Sequence, residues 1–175
     1  MFEEDHGNLA FNHLAGCELF GSGSTYEPQK SLAIYFRSKY DVGELKYKLF
    51  ENSPISEYEA FILRNSGNDM YATHFRDALT ISLLDNNTNL DYQHYRPSIV
   101  FLNGEYYGIL NIREKINEHY IEHHHFVSKE NLDLLSYKEV EQPVIIHGDI
   151  QQYTDLLIYL HNKDLNDKDL SLIHI

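Results

Sequence analysis

The chain has 175 residues, 27 acidic and 14 basic, which gives a formal net charge of −13 with histidine neutral. This argues against nucleic acid as a partner, because a polyanion binder releases counterions through clustered Lys and Arg, and here the basic residues stand among carboxylates. An apolar share of 42%, an aromatic share of 13% and a single cysteine, Cys17, fit one moderate core without an internal disulfide or a thiolate zinc cluster.

Asp5-His6-Gly7-Asn8 is a turn signal that leads straight into Leu9-Ala10-Phe11, as though a preceding strand had been cut away. Leu14 to Phe20 is a short apolar stretch, Gly21 to Thr25 a glycine-serine loop, and Ser31 to Phe36 a run of strand formers: strand, loop, strand. Tyr40 to Phe50, closed by Pro54, predicts a turn and a short edge strand, and Tyr58 to Arg64 predicts a better one. Asn65 to Asp69 holds only turn and capping residues, so that loop is tight and polar. From Asp69 the period changes: Phe75, Leu79 and Leu83 recur every four residues and predict the inward face of an amphipathic helix, with Asp69 as its cap and Asp85 to Asn89 as its end.

Pro97 to Leu102, then Asn103-Gly104, then Glu105 to Ile112 is a β-hairpin, because Asn-Gly between two β-rich runs favours the type I′ turn. Ile116 to Phe126 predicts a helix with Ile116, Tyr120 and His124 on one side. Pro143 to Ile146 is a brief apolar segment, and Ile150 to His161 predicts a last helix with Tyr153, Leu156, Leu157 and Leu160 inward. The sum is α+β: a mostly antiparallel sheet with one packed helix, followed by a helical tail. No apolar run approaches the roughly 20 residues of a membrane span, and the acidic start is the opposite of a signal peptide, so the chain reads as soluble. The apolar final stretch, Ser171 to Ile175, needs a partner surface, and both ends are expected to be cut from a longer protein.

Several side chains invite a chemical role, and each has a plainer reading. A glycine-serine loop between antiparallel strands, followed by Lys30, is an arrangement in which bare backbone N–H groups and an ammonium meet phosphates, yet such loops usually serve only as turns. Glu114 taken alone is a solvated surface acid. His119 shares a helix face with His123 in the His123-His124-His125 run and suggests a metal, but adjacent histidines on a helix diverge and an exposed polar helix end is the simpler account. Asp69 and Asp77 form a conceivable carboxylate pair, although capping explains the first and a surface ion pair the second. Nucleophile elbow, P-loop, dinucleotide fingerprint and His-Glu-x-x-His patterns are all missing.

Taken together, Gly21 to Leu32, Phe61 to Asp69, Phe75 to Ala78, Asp91-Tyr92-Gln93, Val100 to Gly108 and Ile112-Arg113-Glu114-Lys115 resemble the CotH kinase family, named for spore coat protein H. The resemblance runs from about Leu9 to about Leu165. It implies an atypical kinase-like fold that uses ATP and a divalent metal, Mg2+, to phosphorylate serines of protein substrates. In that picture Ser22, Gly23 and Ser24 arch over the triphosphate, Lys30 meets the phosphates, Asp77 holds Lys30, Arg64 and Asn68 face the cleft, and Glu114 lies near the adenine. Residues 1–115 would be the nucleotide-binding small lobe and 116–175 the start of a helical large lobe. The family's metal-binding and catalytic aspartates come from a later stretch, which Asp164, Asp167 and Asp169 do not match. The metal ligands are therefore expected outside this sequence, and the chain alone is expected to be inactive. Two rivals stay open: a non-catalytic coat or surface module with a degenerate kinase fold, and a metal-dependent hydrolase built on the histidine run. The protein substrate, the oligomeric state and the compartment, whether cytoplasm, spore coat or export, are not fixed by the sequence.

Overall fold

The computed structural model describes residues 1–84, 88–137 and 143–162, so Asp85 to Asn87, Asp164, Asp167, Asp169 and Ser171 to Ile175 lie outside the described residues. The chain divides into two compact units, Met1–Tyr120 and Ile121–Ile175.

The first unit begins with β1 (Phe2–Glu4) and β2 (Asn8–Phe11), an antiparallel pair joined by the Asp5–Gly7 turn. The strand expected to be missing before that turn is present: Phe2 stacks on Phe11 with ring centroids 5.1 Å apart. Next come β3 (Gly16–Phe20), β4 (Ser31–Tyr35), the two-residue strands β5 (Leu45–Lys46) and β6 (Glu57–Tyr58), and β7 (Ala60–Arg64). After β7 stand the helix α1 (Arg76–Leu84) and the strands β8 (Tyr95–Leu102) and β9 (Glu105–Glu114). The main sheet is antiparallel with the order β3-β4-β7-β9-β8. Asn103 and Gly104 both take positive φ, 53° and 83°, as the type I′ turn requires.

Because side chains alternate across a strand, Phe61, Leu63, Ile112 and Glu114 share one face of the sheet, while Ile62, Arg64, Asn111 and Arg113 share the other. The first face is covered by the stretch between β4 and β7, whose Leu45, Leu49, Phe50 and Tyr58 form the core with Phe36, Phe61 and Ile112. The expected edge strand in that stretch is instead a ribbon, β5 with β6, that lies outside the main sheet. The second face carries α1. Its buried residues are Ala78 and Ile81, whereas Phe75, Leu79 and Leu83, expected inward, are exposed. The helix also starts at Arg76, one turn and more after Asp69.

Helix α2 (Glu118–His125) carries the buried Tyr120 and ends in the three histidines, while Ile116, expected on its inner side, is exposed and precedes it. The second unit contains an element absent from the sequence reading, an antiparallel ribbon of β10 (Leu134–Ser136) and β11 (Val144–His147). It is followed by α3 (Gln151–His161), whose first residue donates its N–H to Asp149 at 2.7 Å. Tyr153, Leu156 and Leu160 are half-buried, but Leu157 is exposed. Among the described residues no helix is long and apolar enough to cross a membrane.

Candidate functional site

The end of β7 is where the chain concentrates its polar chemistry. Asn65, fully buried, donates its side-chain amide to the Gln29 carbonyl at 2.7 Å and accepts both the Ser31 hydroxyl at 2.9 Å and the Gly67 N–H at 3.0 Å. These bonds tie the start of β4 to the turn after β7. Ser66, itself left-handed with φ 68°, donates its hydroxyl to the His74 carbonyl and fixes the approach to α1. Asp69 then accepts the Thr73 hydroxyl at 2.6 Å and the N–H of Arg76, the first residue of α1, at 3.1 Å. The Thr73 hydroxyl bond, together with the backbone donors and the nearby Arg76 charge, pulls the Asp69 pKa down to about 2.

Between this turn and the Gly21–Thr25 loop lies a cavity of about 510 Å³, lined by Ser22, Gly23, Ser24, Arg64, Asn68 and Asp77 among others. Five of the expected nucleotide-binding positions thus face one volume, together with Asp77. Lys30 and Glu114 do not line it. The Lys30 ammonium donates to the Thr25 carbonyl at 2.7 Å and to the Glu27 carbonyl. Its backbone N–H donates to the Tyr107 hydroxyl at 2.5 Å. The amine therefore pins the glycine-serine loop to the strand that follows it.

Asp77 pairs with arginines rather than with Lys30. Its Oδ2 accepts Arg64 Nε at 3.0 Å and Arg113 Nη1 at 2.7 Å. Arg64, on the third strand of the sheet in chain order, is thus held by a carboxylate of the following helix. A methyl group placed on Gly67 would sit 3.1 Å from Arg64 Nη2, so this end of the guanidinium lies over the turn that floors the cavity. Asp69 also lines the cavity, but its oxygens are taken by Thr73 and Arg76, so the two aspartates do not act as a pair.

Glu114 is not a surface acid: it is 3% exposed. Its Oε2 accepts the His94 backbone N–H at 2.8 Å and lies 2.9 Å from His94 Nδ1, and its carbonyl accepts Gln93 Nε2 at 2.6 Å. Burial first, and then the Glu114 charge, raise the pKa of Tyr58 and of Tyr120. His119 of α2 places Nδ1 3.1 Å from Glu59 Oε1.

The sequence alone assigned no role to Arg113, Asn65 or Tyr107, although all three lie in the family-like stretches. The register of Arg113 with Ile62, which turns it toward Asp77, exists only once the strands have paired.

The family model described as CotH kinase protein matches residues 17–172 of the chain. No curated protein and no solved structure matches it.

Proposed function

Because the chain belongs to the CotH kinase protein family, we propose that it binds ATP in the cavity under the Gly21–Thr25 loop and serves transfer of the γ-phosphate to serine hydroxyls of protein substrates. The single observation that carries this reading is the convergence of Ser22, Gly23, Ser24, Arg64, Asn68 and Asp77 on one volume of about 510 Å³. That volume is in the range of small-ligand pockets.

ATP supplies the transferable phosphoryl group. The backbone N–H groups of Ser22 to Ser24 would donate to phosphate oxygens, as glycine-rich turns do elsewhere. Arg64, with its Nε fixed on Asp77, would present its Nη atoms to the same oxygens, and the planar fork suits bidentate phosphate contact. Asn68 would add an amide donor. Lys30 acts at one remove in this reading, through its hold on the Thr25 and Glu27 carbonyls, and sets the height of the loop over the phosphates. Glu114 serves as a strut that fixes the exit of β9 through His94.

The cavity carboxylates are engaged to different degrees. Glu27 accepts the Tyr71 hydroxyl at 2.6 Å, Asp69 is held by Thr73 and Arg76, and Asp77 by two arginines. A hard cation needs oxygens open to it; Asp69 is engaged through both of its oxygens, whereas the arginines hold Asp77 through Oδ2 alone.

The test is a titration of the chain with a fluorescent ATP analogue. Arg64→Ala is expected to weaken binding about tenfold or more, the scale of a lost charge-assisted contact, and Lys30→Ala to weaken it less. Equal affinity for the Arg64→Ala and unaltered proteins would remove this cavity from the role.

A further inference from the structure

Among the described residues Arg113 is the one buried basic side chain, 3% exposed. Its register partners are Ile62 on one side and Tyr95 on the other, so it stands inside the sheet on the face that carries α1. Its Nη1 reaches Asp77 Oδ2, the same oxygen that accepts Arg64 Nε. Its own Nε has no partner among the described residues. Burial pushes its pKa below the ordinary arginine value, with Asp77 opposing the shift and Arg64 adding to it.

An apolar side chain of similar volume would fill this place at lower desolvation cost. What the arginine adds is charge and direction. At Asp77 two guanidiniums share one carboxylate, while Glu27 brings a further negative charge to the cavity wall. Glu114, next in the strand and on its opposite face, adds a weaker attraction. Arg76, at the cavity wall, is already paired with Asp69 at 3.2 Å.

We propose that Arg113 is a positioning residue for phosphate: it shares Asp77 with Arg64, fixes the Arg64 guanidinium toward the cavity, and leaves part of the Arg64 charge for a polyphosphate. This rests on the cavity being the nucleotide site. Asp77 divided between two donors cannot neutralise Arg64 as a private partner would, so Arg64 keeps more of its charge for the ligand. Arg113 makes no contact with the ligand itself.

The experiment compares ATP with adenosine as ligands of the full chain, unaltered and as Arg113→Met, with thermal stability measured alongside. The expected result is an ATP affinity about tenfold weaker with adenosine affinity unchanged. If the unaltered chain binds ATP no better than adenosine, both the cavity reading and this inference fall. If it prefers ATP and Arg113→Met keeps the same preference, the inference alone falls. Parallel weakening of both ligands together with a lower Tm marks a purely structural arginine and also overturns it. Should Arg113→Met not fold, Arg113→Lys carries the test, since lysine keeps the charge but lacks the fork. A partial loss of ATP preference, with a moved NMR signal for the Arg64 Nε–H, is then expected. An unchanged preference and an unmoved signal would overturn the proposal.

Discussion

Asp69 holds the start of α1 from outside the helix, with the Thr73 hydroxyl and the Arg76 N–H converging on one carboxylate. Its pKa in the folded chain, about 2, lies below the ordinary 3.8. The unfolded chain therefore binds the proton more tightly, and the stabilisation is complete above about pH 4 and fades as the pH falls toward 2. Asp69→Ala is expected to lower Tm at pH 7, and the gap to the unaltered protein should shrink when both are melted near pH 2. A gap of the same size at both values would mean that the carboxylate charge contributes nothing. The sequence pointed to Asp69 as a cap because an acid just ahead of an apolar period has few other uses. It did not reveal that Asp77, eight residues on, would reach across to two strands. Ion pairs between distant segments leave no local pattern, and the expected partner of Asp77 was Lys30. In the folded chain the Lys30 ammonium is found on the Thr25 and Glu27 carbonyls.

At the level of elements, the strands and their hairpin were readable because alternation and an Asn-Gly turn act within a few residues. The helix face was not. Phe75, Leu79 and Leu83 have the right spacing, yet α1 turns another face to the sheet: Asp77 meets Arg64 and Arg113, and the neighbouring Ala78 and Ile81 are buried beside it. Phe75 and Leu79 instead line a groove of about 270 Å³ beside Pro97 and Ile109. The strand β9 also carries a local constraint that supports the loop. Gly108 has φ 139°, and a Cβ there would collide with the Gln29 amide, whose Nε2 donates to the Tyr107 carbonyl at 3.3 Å. Gly108→Ala is therefore expected to cost at least about 1 kcal/mol of stability and to loosen the Gln29–Lys30 base of the loop. Chemical denaturation measures the first effect, and faster amide exchange at Gln29 and Lys30 the second. A variant as stable as the parent with unchanged exchange would show that this strand position tolerates a side chain.

Across the molecule, the core of the first unit gathers around a stretch with almost no regular structure. Leu45, Leu49 and Phe50 come from the segment between β4 and β7 and are almost wholly shielded from water. Leu49→Ala is expected to cost about 2–5 kcal/mol, whereas Leu157→Ala, on the exposed side of α3, should change stability by no more than about 0.5 kcal/mol. Urea midpoints distinguish the two, and similar losses at both sites would contradict this account of the core. The sequence by itself determined what depends on near neighbours: the α+β class, the strand-loop-strand unit, the type I′ hairpin and the motif stretches that mark the family. The tertiary structure alone decided which cation meets which carboxylate, which helix face is covered, and that an irregular segment fills the core. Those outcomes depend on which surfaces remain after the strands have paired, and residues far apart in the chain compete for them without leaving a trace in any short window.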